Sequence, residues 1–151
     1  MKKATAAALI ILAFGGVASA HQGATGIVKQ RMEAMSAMKE AMAVVGRMLK
    51  GETALDGGEA GRAADAIAAH ANDMKQLFPD TAESRQKASE ATPLVWEEPE
   101  RFEELADELA EAASLMLQVA ADGDKAALSS RFQAVGRACS ACHEDFRQKK
   151  N

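Results

Sequence analysis

Six side chains near the end of this chain, Leu128, Phe132, Val135, Cys139, Cys142 and Phe146, are apolar and fall three and four residues apart. That spacing lines one face of an α-helix, the face that turns to a core. Two of the six are the only cysteines in the protein, within the run CSACH, Cys139 to His143. Whatever fold the chain takes must tuck this face inward and still leave two sulfurs and an imidazole in chemical reach.

Three further stretches show the same period. The first runs from about Gly26 to Lys50, with Val28, Arg31, Met35, Met38, Met42, Val45 and Leu49 in line. The second lies between Gly57-Gly58 and Pro79, with Ala63, Ile67, His70, Met74 and Leu77 in line. The third starts at Pro99, a residue suited to a first helical turn, and carries Phe102, Leu105, Leu109, Ala112, Met116 and Val119. An Asp122-Gly123-Asp124 turn opens the fourth, with Asp124 as its N-cap. The chain is rich in Ala, Leu, Met and Glu and has no Tyr, which favours helix over strand. Short joints after the first and third stretches, and a longer irregular connection from Pro79 to Pro99, predict an all-α, antiparallel up-down-up-down four-helix bundle.

The opening MKKATAAALIILAFGGVASA stands apart from that pattern. Lys2 and Lys3, an apolar run from Ala6 to Phe14 and the small triplet Ala18-Ser19-Ala20 read as a secretory signal peptide over residues 1–20. The apolar run is shorter than the roughly 20 residues of a membrane span. The expected mature domain covers residues 21–151, exported to the periplasm. Without Lys2 and Lys3 it has 16 basic and 22 acidic side chains, a net charge of −6. No basic tract offers itself to nucleic acid. An acidic balance can steer a basic protein partner but does not name one.

An exported pair of thiols does not stay free in an oxidising compartment. As a bare Cys-x-x-Cys the pair could exchange disulfides, but that chemistry sits at the start of a helix and beside strands. As a zinc site it lacks a fourth ligand, since only His21 and His70 remain and neither has ligand spacing. Cys-x-x-Cys-His is the attachment signal for c-type haem. Cys139 and Cys142 then carry one haem c through two thioethers, and His143 binds the iron from below. A thiol–disulfide enzyme remains the rival from another class.

Only eight residues follow His143, so a second axial ligand must come from an earlier helix. The first stretch holds Met32, Met35, Met38, Met42 and Met48, which as a stripe also suit plain core filling. With Ile27 level with Gln148 in an antiparallel bundle, His143 stands level with Met32. Met35 is then about 4–5 Å along the axis and on the apolar stripe, and Met42 about 15 Å away. Met35 is the expected ligand. Arg31, a charge on that stripe, either snorkels to solvent or pairs with a haem propionate. His70 reads as a structural histidine.

The chain resembles the class II c-type cytochromes, the cytochrome c′ family, over essentially all of its expected mature length. VGRACSACHEDFR, Val135 to Arg147, is similar to the family's haem helix. IVKQRMEAM (Ile27 to Met35), LFPD (Leu77 to Asp80) and Val95-Trp96 are similar too. The resemblance implies a four-helix bundle with one covalent haem and no enzyme turnover, and possible homodimers. It also implies two behaviours: a five-coordinate, high-spin iron open to small gases such as nitric oxide, or a low-spin iron bound by a methionine of the first helix. Met35 occupies that distal position, Arg31 matches a haem-contacting arginine, and Arg147 a basic residue near the proximal face. The expected function is a periplasmic monohaem electron carrier with His143/Met35 ligation and redox protein partners; the alternative is a gas-binding cytochrome c′.

Overall fold

The computed structural model describes residues 23–86 and 88–149. The expected signal peptide, residues 1–20, and His21 lie outside them. The elements are α1 (Gly26–Lys50), α2 (Gly57–Asp73) with a 3-10 turn at Met74–Leu77, the short α3 (Leu94–Glu97), α4 (Pro99–Ala120) and α5 (Lys125–Phe146). The four long helices are the four periodic stretches. Among the described residues extended pairing is confined to a single antiparallel bridge between Ala91 and Arg147.

Local chemistry sets the boundaries. Gly51 takes a left-handed φ of 77°, and the amides of Gly51 and Glu52 close α1 on the carbonyls of Met48 and Arg47. Asp56 caps α2 by accepting from the Glu59 amide at 2.8 Å. Asp124 caps α5 by accepting from Ala126 and Ala127 at 2.8 and 3.1 Å. Pro99 stands in the first turn of α4, where its missing N–H costs nothing.

The order around the bundle is α1, α2, α4, α5, each antiparallel to the next. The start of α2 meets the end of α4, where a Cβ on Gly57 would lie 2.5 Å from the Ala120 carbonyl oxygen. At the other end of that pair Lys75 reaches Asp107 and Glu103. Arg101 and Asp145 join the start of α4 to the end of α5. α2 and α4 pack most extensively and α1 and α5 least.

The buried faces are rotated from the expected stripes. α2 buries Ala60, Ala63, Ala64, Ile67, Ala68 and Ala71, and α4 buries Ala106, Ala110, Ala113 and Ala120 around Phe102, Leu109 and Met116. Small side chains let two backbones approach closely, a signal that counting large apolar residues misses. On α1 the fully buried line is Val28, Arg31, Ala34, Met38, Ala41, Val45 and Met48, and Met35, Met42 and Leu49 are only half-buried beside it. On α5 only Leu128, Val135 and Phe146 are fully buried.

The close approach of α2 and α4 makes a test. Gly57→Ala forces a methyl against backbone and should lower stability by about 1–3 kcal/mol. Gly61→Ala, whose Cβ would meet Leu117 at an ordinary 3.4 Å, should be neutral or stabilise by up to about 1 kcal/mol through helix propensity. Urea unfolding followed by circular dichroism separates the two; equal effects would contradict this packing.

Candidate haem site

CSACH occupies the last two turns of α5. Cys139 and Cys142, one turn apart, are both half-buried and pack against the core, while Ser140 and Ala141 between them are exposed. The Ser140 hydroxyl donates back to the Gly136 carbonyl at 3.0 Å. Burial raises both thiol pKa values. Cys142 is pushed up to about 11, by burial first and then by the neighbouring Cys139. His143 is half-buried and its pKa is lowered, by burial and then by the Arg147 guanidinium, with Glu90 opposing. That favours neutral imidazole, the form that binds a metal.

α1 faces this helix from the other side. A Cβ on Gly46 would lie 3.6 Å from the tip of the Phe132 ring. Eleven residues back along α1 and eleven forward along α5, about 16 Å in each, bring Met35 level with the His143 side chain. Met35, Met42, Phe132, Ala138, Cys139 and Cys142 are half-buried apolar side chains on these two helices. Met38 and Met48 are buried in the core, and Met32 is half-buried.

Arg31 does not snorkel to solvent: only 4 % of it is exposed, and its five N–H groups all go to protein acceptors. Nε and Nη2 donate to the Leu77 carbonyl at 3.1 and 2.9 Å. Nη2 also donates to Ser84 Oγ at 2.7 Å. Nη1 donates to Ser89 Oγ at 2.7 Å and to the Ser84 carbonyl at 3.3 Å. The guanidinium carbon sits 3.8 Å over the Phe78 ring. Burial lowers its pKa to about 10, which leaves it charged at neutral pH.

Sequence reasoning missed the partners of Arg31, because Ser84 and Ser89 lie in what read as an irregular connection. The available signal was the arginine itself, a charge on a buried stripe whose donors must be satisfied somewhere. His70 is half-buried in the last turn of α2. Among the described residues no three His, Cys, Asp or Glu side chains converge as a metal site of their own.

The residues present fit a covalently attached haem. Two thiols one turn apart face the same way, a neutral imidazole follows the second, and half-buried apolar side chains of α1 and α5 accompany them. Such a group would be held by thioethers from Cys139 and Cys142, with the His143 imidazole on the iron.

The family model described as Cytochrome C′ matches residues 26–147. Cytochrome c-554 of Cereibacter sphaeroides is 37 % identical over 125 residues, 82 % of this chain and 81 % of that protein. Cytochrome c′ of Rhodopseudomonas palustris is 33 % identical over 154 residues, 100 % of this chain and 99 % of the relative. A solved cytochrome c′ with a ligand-controlled dimer dissociation superposes with a TM-score of 0.73 at 28 % identity, covering 82 % of this chain and 95 % of that one.

The raised thiol pKa values make a check on the haem-free chain. A thiol held near 11 has little thiolate at pH 8, so Cys142 should be alkylated at least about tenfold more slowly than free cysteine. The rate should climb as pH rises toward 11, and reaction at the rate of a free thiol would contradict the buried placement. Sulfurs held inward on a haem-type motif, a four-helix bundle of matching topology and a family match across nearly all the described residues lead to one assignment: the chain belongs to the cytochrome c′ family, monohaem cytochromes with one covalently bound haem c.

Proposed function

We propose that this protein is an exported, periplasmic cytochrome of the c′ type, in which Cys139 and Cys142 anchor the haem, His143 is the proximal iron ligand and small neutral gases are taken on the α1 side. The group supplies a one-electron couple and a metal to which a diatomic ligand can bind. The observation that carries the reading is the half-buried pair Cys139 and Cys142 on the core side of α5, together with the half-buried apolar Met35 and Met42 on α1. Thioethers and methylenes offer no charge or N–H donor to an anion, so a neutral diatomic suits this lining best. The ligand-controlled dimer of the solved cytochrome c′ supports both a ligand response and self-association, and this chain is taken as a candidate homodimer on that ground. No substrate is turned over; redox proteins supply and remove electrons. Export rests on residues 1–20, and among the described residues no helix is long and apolar enough to cross a membrane.

A second reading has its own observation. Met35 stands level with His143, and a thioether suits haem iron and raises its potential. Bonded to iron, Met35 would close the distal side and leave a His143/Met35 electron carrier.

Two measurements decide. The mass of the exported protein should equal residues 21–151 plus one haem, and a mass of polypeptide alone overturns the haem assignment. The ferrous form should take up carbon monoxide on mixing, and Met35→Ala should speed uptake without changing spin state. A wild type closed to carbon monoxide, with a far-red sulfur-to-iron band that Met35→Ala abolishes, gives the electron-carrier reading instead.

A further inference from the structure

The connection from Met74 to Glu98 is stitched to the end of α5 as well as to α1. The Thr92 amide donates to the Phe146 carbonyl at 3.1 Å, and the Thr92 hydroxyl to the Asp145 carbonyl at 2.8 Å. The Gln148 amide donates to the Glu90 carbonyl at 2.7 Å, and its side-chain Nε2 to the Ala91 carbonyl at 2.9 Å. The last carbonyls of a helix have no intrahelical donor. α5 ends without a glycine cap, in an extended Arg147, so the segment Glu90–Thr92 serves as its cap.

That cap hangs on Arg31. Ser89 Oγ accepts from Arg31 at 2.7 Å and from the Ala91 amide at 3.2 Å. One polar route therefore runs from Arg31 through Ser89 to Ala91 and Thr92, and ends on Asp145 and Phe146. A second, aromatic route runs from Arg31 over Phe78, then to Phe102 with ring centroids 4.7 Å apart, then to Phe146 at 5.3 Å. Both routes end within three residues of His143. At their origin Arg31 stands one helical turn before Met35.

We propose that Arg31 is a positioning residue: through Ser89 and the Phe78–Phe102–Phe146 stack it fixes the α1 turn bearing Met35 relative to the α5 turn bearing His143, and so sets the ligand state of the iron. The proposal rests on the reading of His143 and Met35 as the two sides of the haem site. Direct contact between α1 and α5 is sparse, so their separation near the site depends on this bridge. A guanidinium suits the task because its planar fork reaches four acceptor atoms at once and still stacks on a ring; a lysine ammonium has three donors and no plane.

The test uses the haem-loaded full chain as wild type, Arg31→Lys and Ser89→Ala. Backbone hydrogen exchange at Thr92 and Gln148 should be about tenfold or more faster in both variants, with amides in the middle of α4 unchanged. The absorption spectrum, or the rate of carbon monoxide uptake by the ferrous form, should shift in the same two variants. Ser89→Ala leaves α1 untouched and keeps the test decisive if Arg31→Lys folds poorly. Unchanged exchange at Thr92 and Gln148 overturns the proposal. So does faster exchange with unaltered spectrum and uptake, which would leave Arg31 a purely structural residue. A wild type that refuses carbon monoxide removes the gas reading alone, and the exchange and spectral comparisons still judge the bridge.

Discussion

α5 has to turn two sulfurs and an imidazole toward the core, and the rest of the bundle is arranged around that demand. A helix that gives its inner face to Cys139, Cys142 and His143 has few large side chains left for packing. Leu128, Val135 and Phe146 are the three it buries fully. Cohesion is supplied instead by α2 and α4, whose alanines and Gly57 allow backbones to meet. Ile67 and Met116, both fully buried, fill the space between them. Burial of one such side chain contributes about 1.5–3 kcal/mol, so the α2–α4 seam can hold the molecule while α5 gives its inner face to the two cysteines.

Arg31 shows why that chemistry needs more than a bundle. Burying a cation costs several kcal/mol even after the protein relaxes. Arg31 meets that cost with five hydrogen bonds to protein acceptors, so its charge is accommodated only where those acceptors stand. What it specifies is the path of a long connection with no regular pairing of its own along most of its length. Ser84 and Ser89 are buried there although serine is mostly exposed, because each hydroxyl meets the guanidinium.

The helices were legible because their signals are local. Gly51, Pro99 and Asp124 mark ends by rules that depend on one residue and its neighbours, and the observed helices α1, α4 and α5 begin or end on them. CSACH was legible for the same reason, since attachment chemistry is written in five consecutive residues. The rotation of α1 was not. Met35, Met42 and Leu49 look more hydrophobic than Ala34, Ala41 and Met48 as a set, yet the alanine side is what the neighbouring alanine-rich α2 accepts. The cap on α5 was hidden too, because it joins Glu90–Thr92 to residues more than fifty positions away. No period or propensity encodes such a pairing.

Charge adds a last constraint on how a partner reaches the site. The acidic balance of the sequence is not spread evenly: Glu100, Glu103, Glu104, Asp107, Glu108 and Glu111 lie together on α4, with Lys75 beside them. Arg131, Arg137, Arg147 and Lys149 are exposed on α5 or just beyond it, the element that carries CSACH. An acidic balance can steer a basic partner without naming one, and this cluster of carboxylates stands on a different helix from the sulfurs. Surface charges act over roughly 8 Å at physiological salt. Beside CSACH the signs are mixed: Arg137 and Glu144 share one face with Ser140 and Ala141, Arg147 and Lys149 follow, and Arg131 stands against Glu108 and Glu111 of α4. The net charge of the whole chain and the charge of the surface beside CSACH are different quantities, and only the second acts within a screening length of that motif.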